Sequence, residues 1–147
     1  VRIAPGGMVF GIVTQAIVRR SERGKTVKRD IDLIRQILLD LEARGAYTNW
    51  LDIDFEAYSP EQMDYHLDLL VEAGLIAVRT SERERSRWLS VRLTWAGHEF
   101  LDAARDEQRW RSIQDAVSRA GGAPFEIVQS ALTAAARREI GVDRPAA

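Results

Sequence analysis

Between Ser59 and Leu101 the apolar positions change period more than once, and the changes outline a fold. Met63, Leu67 and Leu70 recur at helical spacing among polar residues, which predicts an amphipathic helix over 59–74. Ser59 is a capping residue, Pro60 suits the first helical position, and Gln62 stands three residues after the cap. Ala73 is small enough to let the next strand pass close, and Gly74 fits the left-handed conformation that ends helices. Leu75 and Ile76 then open an extended run. Residues 75–80 and 88–94 are predicted to pair as an antiparallel hairpin. Leu89, Val91 and Leu93 would face one side, and Trp88, Ser90 and Arg92 the other. Thr94 is predicted to cap a further helix with Phe100, Leu101 and Ala104 inward.

The flanking segments carry the same kinds of signal. In KRDIDLIRQILLDLEARG, Ile34, Ile37, Leu38 and Leu41 form a helical stripe, with Ile31 one turn earlier. Asp30 and Asp32 lie near the positive end of that helix, and Arg44 and Gly45 mark its finish. WLDIDFE alternates Leu51, Ile53 and Phe55 with acids, which predicts a short half-buried strand. Residues 107–120 offer a helix through Trp110, Ile113 and Val117; Gly121, Gly122 and Pro124 break it. A last helix follows with Phe125, Val128 and Leu132 as its stripe, and 142–147 reads as a frayed tail. The expected fold class is mainly α with a small antiparallel sheet (α+β). Residues 27–106 would form a winged helix-turn-helix-like domain, and 107–141 a C-terminal extension of two extra helices.

Two resemblances sharpen that expectation. His66 to Ile76, read as HL-x-x-L-x-x-AGLI, resembles the end of the recognition helix in many bacterial winged-helix repressors. KRDIDLIRQILL, EQMDYHLDLLVEAGLI and RLTWAGHEFLDAAR together resemble the domain-of-unknown-function family twenty-five thirteen, small proteins of bacteria and phages. The resemblance covers about Val27 to the C-terminus. It implies a winged-helix-like fold and no established activity, and supplies no catalytic residue. One feature departs from the usual winged helix: between Phe55 and Ser59 there is no room for a separate first helix of the helix-turn-helix.

Composition bounds the remaining possibilities. A chain of 147 residues can bury a real core, and 46% hydrophobic with 29% charged residues is ordinary for a globular protein. The absence of cysteine excludes disulfides, thiolate chemistry and cysteine zinc sites, and a cytoplasmic location is expected. Residues 1–26 differ from the rest. The mostly apolar run at 7–18 is shorter than the roughly 20 residues a membrane span needs. Its charges follow the run, where a signal peptide carries them before it. The first residue is Val1, and Val27 is a candidate alternative start, so 1–26 is expected to be an extension outside the working protein. The other reading is a functional arm or membrane-surface anchor. Residues 1–26 hold five Lys/Arg and one Glu, so the remainder has 16 Lys/Arg against 21 Asp/Glu, a charge of −5.

Catalytic chemistry has little to stand on. His66 and His98 are the only histidines. His98 has Asp102 one turn on, but neither histidine belongs to a metal-ligand spacing. The acid pairs Asp52/Asp54 and Glu61/Asp64 are assigned to solvent faces. No phosphate-cradling glycine loop or nucleophile elbow occurs. The expectation is a non-enzyme without cofactor or metal.

Two binding readings remain. In the first, the chain is a DNA-associated transcriptional regulator. Gln62, Tyr65 and a half-buried His66 would read bases, and Arg83, Arg85 and Arg87 at the wing tip would reach phosphates of double-stranded DNA. The wing tip can also be read as a solvated hairpin end that resists edge pairing. The obstacle is charge: from Gly45 to Val78 there is no Lys or Arg, against seven acids. A duplex carries one negative charge per about 1.7 Å of axis and repels such a face. In the second reading the acidic helix face, with Glu61, Asp64 and Asp68, docks a host protein or mimics a duplex. The apolar residues of 107–140 exceed what one small domain needs, so a homodimer through that segment is also expected.

Overall fold

The computed structural model describes residues 27–80, 89–143 and 145. Helix α1, Ile31–Arg44, starts where Asp30 accepts the Leu33 N–H at 3.1 Å. It buries Leu33 together with the expected Ile34, Ile37, Leu38 and Leu41. After it come a two-residue strand β1, Thr48–Asn49, and a 3₁₀ turn, Trp50–Asp52.

That turn replaces the strand expected from WLDIDFE. The Asn49 side chain accepts the Leu51 N–H at 3.0 Å, and the Ile53 N–H donates to the Trp50 carbonyl at 3.1 Å. Trp50 and Ile53, three apart, are buried, whereas Leu51 is 59% exposed. Burying the indole therefore selects a period of three over the alternation that the acids suggested.

Helix α2, Pro60–Glu72, has the cap its sequence announces. Ser59 Oγ accepts the Gln62 N–H at 3.2 Å, and Gln62 Oε1 accepts the Ser59 N–H at 2.9 Å. Its end is a Schellman motif. Gly74 takes φ +69°, its N–H bonds the Val71 carbonyl, and the Leu75 N–H bonds the Leu70 carbonyl. Buried Leu70 and Leu75 are then set side by side, which aims the chain into the sheet.

Strands β2, Ile76–Thr80, and β3, Leu89–Leu93, pair antiparallel with Ile76 opposite Leu93 and Val78 opposite Val91. Strand β1 adds to the other side of β3, Thr48 opposite Val91, so the order is β1-β3-β2. Helix, strand, helix and hairpin, with the first strand beside the last, is the winged-helix arrangement. The helix that normally precedes the recognition position is reduced to the 3₁₀ turn.

Helix α3, Trp95–Ala104, is capped by Thr94 Oγ1, which accepts the Gly97 N–H at 3.1 Å. Helices α4, Glu107–Arg119, and α5, Phe125–Ile140, follow, separated at Gly121 and Gly122. Trp110, Val128 and Leu132 belong to the same core as α1 and α2, with Ile113, Val117 and Phe125 packed half-buried against it. The Trp110 Nε1–H donates to Asp32 at 2.8 Å. Arg35 stacks over that indole and donates to the Ala104 and Arg105 carbonyls. The expected surplus of apolar surface on 107–140 is thus largely absorbed within one chain; Ile127 and Ile140 remain exposed. Among the described residues no helix is long and apolar enough to cross a membrane.

Candidate functional site

Helix α2 occupies the recognition position, and its inward face is Met63, His66, Leu67 and Leu70. Asp64, Tyr65, Asp68, Val71 and Glu72 point outward, with Glu61 half-buried. The helix holds four acids and no Lys or Arg. Asp64 is tied to the fold, because the Trp50 Nε1–H donates to its carboxylate at 3.2 Å.

Two of the three helix residues expected to read bases are taken up by the structure. His66 is 1% exposed rather than half-buried. Its Nε2 accepts the Asp30 N–H at 2.8 Å, and its Nδ1–H donates to the Gln62 carbonyl at 2.7 Å. Burial with both ring nitrogens satisfied corrects the expectation that His66 meets a partner. Gln62 is half-buried, with Oε1 held in the cap of α2. Tyr65 is 40% exposed and faces solvent between the acids. The wing-tip residues Arg83, Arg85 and Arg87 lie outside the described residues.

The sheet carries the opposite charge. Strands β1, β2 and β3 contain no Asp or Glu, and two arginines. Thr48, Ile76, Val91 and Leu93 are buried on the inner face. Alternation then puts Ala77, Arg79, Ser90, Arg92 and Asn49 on the outer face. Tyr47, just before β1, is 47% exposed and lies with the Arg79 guanidinium 4.6 Å from its ring centroid. Arg79 belongs to β2 and Tyr47 flanks β1, so the pair spans β3, where the small Ser90 lies opposite Arg79 and Arg92 falls level with Tyr47. Arg79 and Arg92 have no acidic partner among the described residues, and Arg92 donates to the Leu93 carbonyl at 2.9 Å. Sequence reasoning placed Arg92 outward but missed Tyr47. Its contact depends on the β1–β3 pairing, which has no local signal.

Elsewhere several ionisable groups are engaged in the fold. An open cleft of about 420 Å³ lies between the start of α1 and α4, lined by Lys28, Arg29, Asp30, Asp32, Gln62 and Val117 among others. Its acids are structural: Asp30 caps α1 and accepts from the Tyr58 hydroxyl at 3.2 Å, while Asp32 holds Trp110. Burial first, then the Asp30 carboxylate, pushes the Tyr58 hydroxyl above its ordinary range. Arg105 donates to both Glu42 oxygens, at 2.6 and 2.8 Å, and so holds that carboxyl below its ordinary range. Asp102, one turn on from His98 in α3, pairs with Arg105, and His98 is exposed. Among the described residues no group of three or more His, Asp or Glu is placed to hold a metal ion.

The family model described as "Hypothetical protein (DUF2513)" matches residues 28–123, from the cap of α1 through α4. A protein of Haemophilus influenzae described as "Uncharacterized protein" is 39% identical over 93 residues, covering 62% of this chain and 79% of its own length. No solved structure matches the chain.

Proposed function

We propose that this chain, which belongs to the DUF2513 family, is a non-enzymatic binding module that associates with DNA through its sheet and wing. The observation that carries the reading is the separation of charge. The recognition-position helix carries four acids and no Lys or Arg, whereas the sheet has two arginines and no acid. A phosphate backbone is attracted to the second surface and repelled by the first. The helix would stand away from the duplex, the reverse of a helix-in-groove reader. A role in transcriptional regulation would follow from where such a module sits on DNA.

Fluorescence anisotropy with a labelled duplex at two salt concentrations tests this. The wild-type chain is expected to bind with an affinity that falls steeply with salt. Arg79→Ala with Arg92→Ala should weaken binding and flatten the log–log slope by about two phosphate contacts. Asp64→Asn with Asp68→Asn should tighten it, since asparagine keeps the acceptor that Trp50 uses. Binding that ignores salt, or that ignores the arginine pair, refutes the reading.

A protein partner on α2 is a second reading. Tyr65 and Val71 of α2, exposed by 40% and 43%, stand among its acids and support it. Apolar residues within an acidic rim suit a basic, amphipathic protein segment. On that reading the Asp64/Asp68 change abolishes capture of a host protein and the arginine change is silent.

A further inference from the structure

We propose that the outer face of the sheet is a stacking platform for an unpaired base, so that the preferred DNA ligand has a single-stranded stretch. This rests on the preceding reading and adds the state of the strand. Level with Tyr47 on β3 is the outward Arg92, and the remaining outward residues, Ala77, Ser90 and Asn49, are short. The ring and the two guanidinium groups are therefore the large side chains on a low surface. Tyr47 is 47% exposed even with Arg79 against it. In a duplex both faces of each base are covered by its neighbours, and only phosphates and groove edges remain to be touched. The arginines alone would suffice for that. A half-exposed aromatic ring with a guanidinium group against it gains from a base whose face is free. Arg79 and Arg92 on the same face supply positive charge for the phosphates next to that base, and no residue of the three strands opposes them with an acid.

The experiment compares a 5′-labelled 20-nucleotide single strand with the 20-base-pair duplex of the same sequence, by anisotropy, for the full chain. The single strand is expected to bind at least about five-fold tighter, as one stacked base contributes about 5- to 150-fold. Tyr47→Ala should abolish that preference, bringing single-strand affinity down to that for the duplex, and Tyr47→Phe should retain it. Arg79→Gln, which keeps the ring, should weaken both probes. Circular dichroism and melting of each variant establish that it is folded. Salt-dependent duplex binding without a single-strand preference, or a preference that survives Tyr47→Ala, overturns the platform and leaves the DNA reading standing. No binding to either probe overturns both.

Discussion

His66 sits on the recognition-position helix, yet its work is to hold α2 against the start of α1. The ring is 1% exposed and accepts the Asp30 N–H at 2.8 Å. His66→Ala removes that acceptor and opens a cavity. A buried N–H left unpaired costs about 1–3 kcal/mol. The lost contacts of a mid-sized buried side chain add about 2 kcal/mol, so the total is about 3–5 kcal/mol. His66→Leu restores most of the volume but not the acceptor, and should still cost about 1–3 kcal/mol. Urea unfolding of the three proteins gives both values, provided the m-values agree. Hydrogen exchange gives the location: the Asp30 amide should lose protection in both variants while mid-α1 amides keep theirs. A leucine variant as stable as wild type would mean that the hydrogen bond to Asp30 contributes nothing and that His66 acts by volume alone.

Three further perturbations probe the frame of the site. In Gly97→Ala the new Cβ would lie 2.1 Å from the Leu75 carbonyl oxygen. Helix propensity alone predicts a gain of about 1 kcal/mol, but the clash with backbone should reverse the sign to a loss of about 3 kcal/mol; thermal melting reads the sign directly. Thr48 is buried, and its hydroxyl has no hydrogen-bond partner among the described residues, so Thr48→Val should stabilise by about 1 kcal/mol; a lower melting temperature contradicts this. The Arg105 hydrogen bonds hold Glu42 below its ordinary pKa of 4.5. The folded state then binds fewer protons than the unfolded one, so the pair's contribution is present above about pH 4.5 and lost as pH falls through the lowered folded value. Both partners are partly exposed, which limits it to about 1 kcal/mol. Glu42→Gln should therefore narrow the difference in urea midpoint between pH 7 and pH 3, and an unchanged difference refutes the assignment. Arg35 and Arg109 hold Glu107 and Glu139, both on the surface, below the ordinary carboxylate range in the same way.

The elements that could be read from the chain alone are those whose signal lies within a few residues. The capping box of α2, its end at Gly74, the stripe Met63, Leu67 and Leu70, and the outward position of Arg92 follow from local spacing. Each is set by hydrogen bonds or periodicities that span at most one turn or one strand. The acidity of α2 was equally legible, since charge is carried by composition. What the sequence left open depends on partners far along the chain. Trp50 chose a 3₁₀ turn over a strand because its ring is buried and its N–H meets Asp64, fourteen residues on. His66 reads as a half-buried polar residue until Asp30, thirty-six residues away, donates to it. Trp110 and Asp32 are joined across seventy-eight residues, which brings α4 into the core. Tyr47 meets Arg79 only because β3 inserts between β1 and β2. A period records which side of an element is apolar; which element then covers that side is decided by the packing of the whole chain, and at those junctions the surface for binding is made.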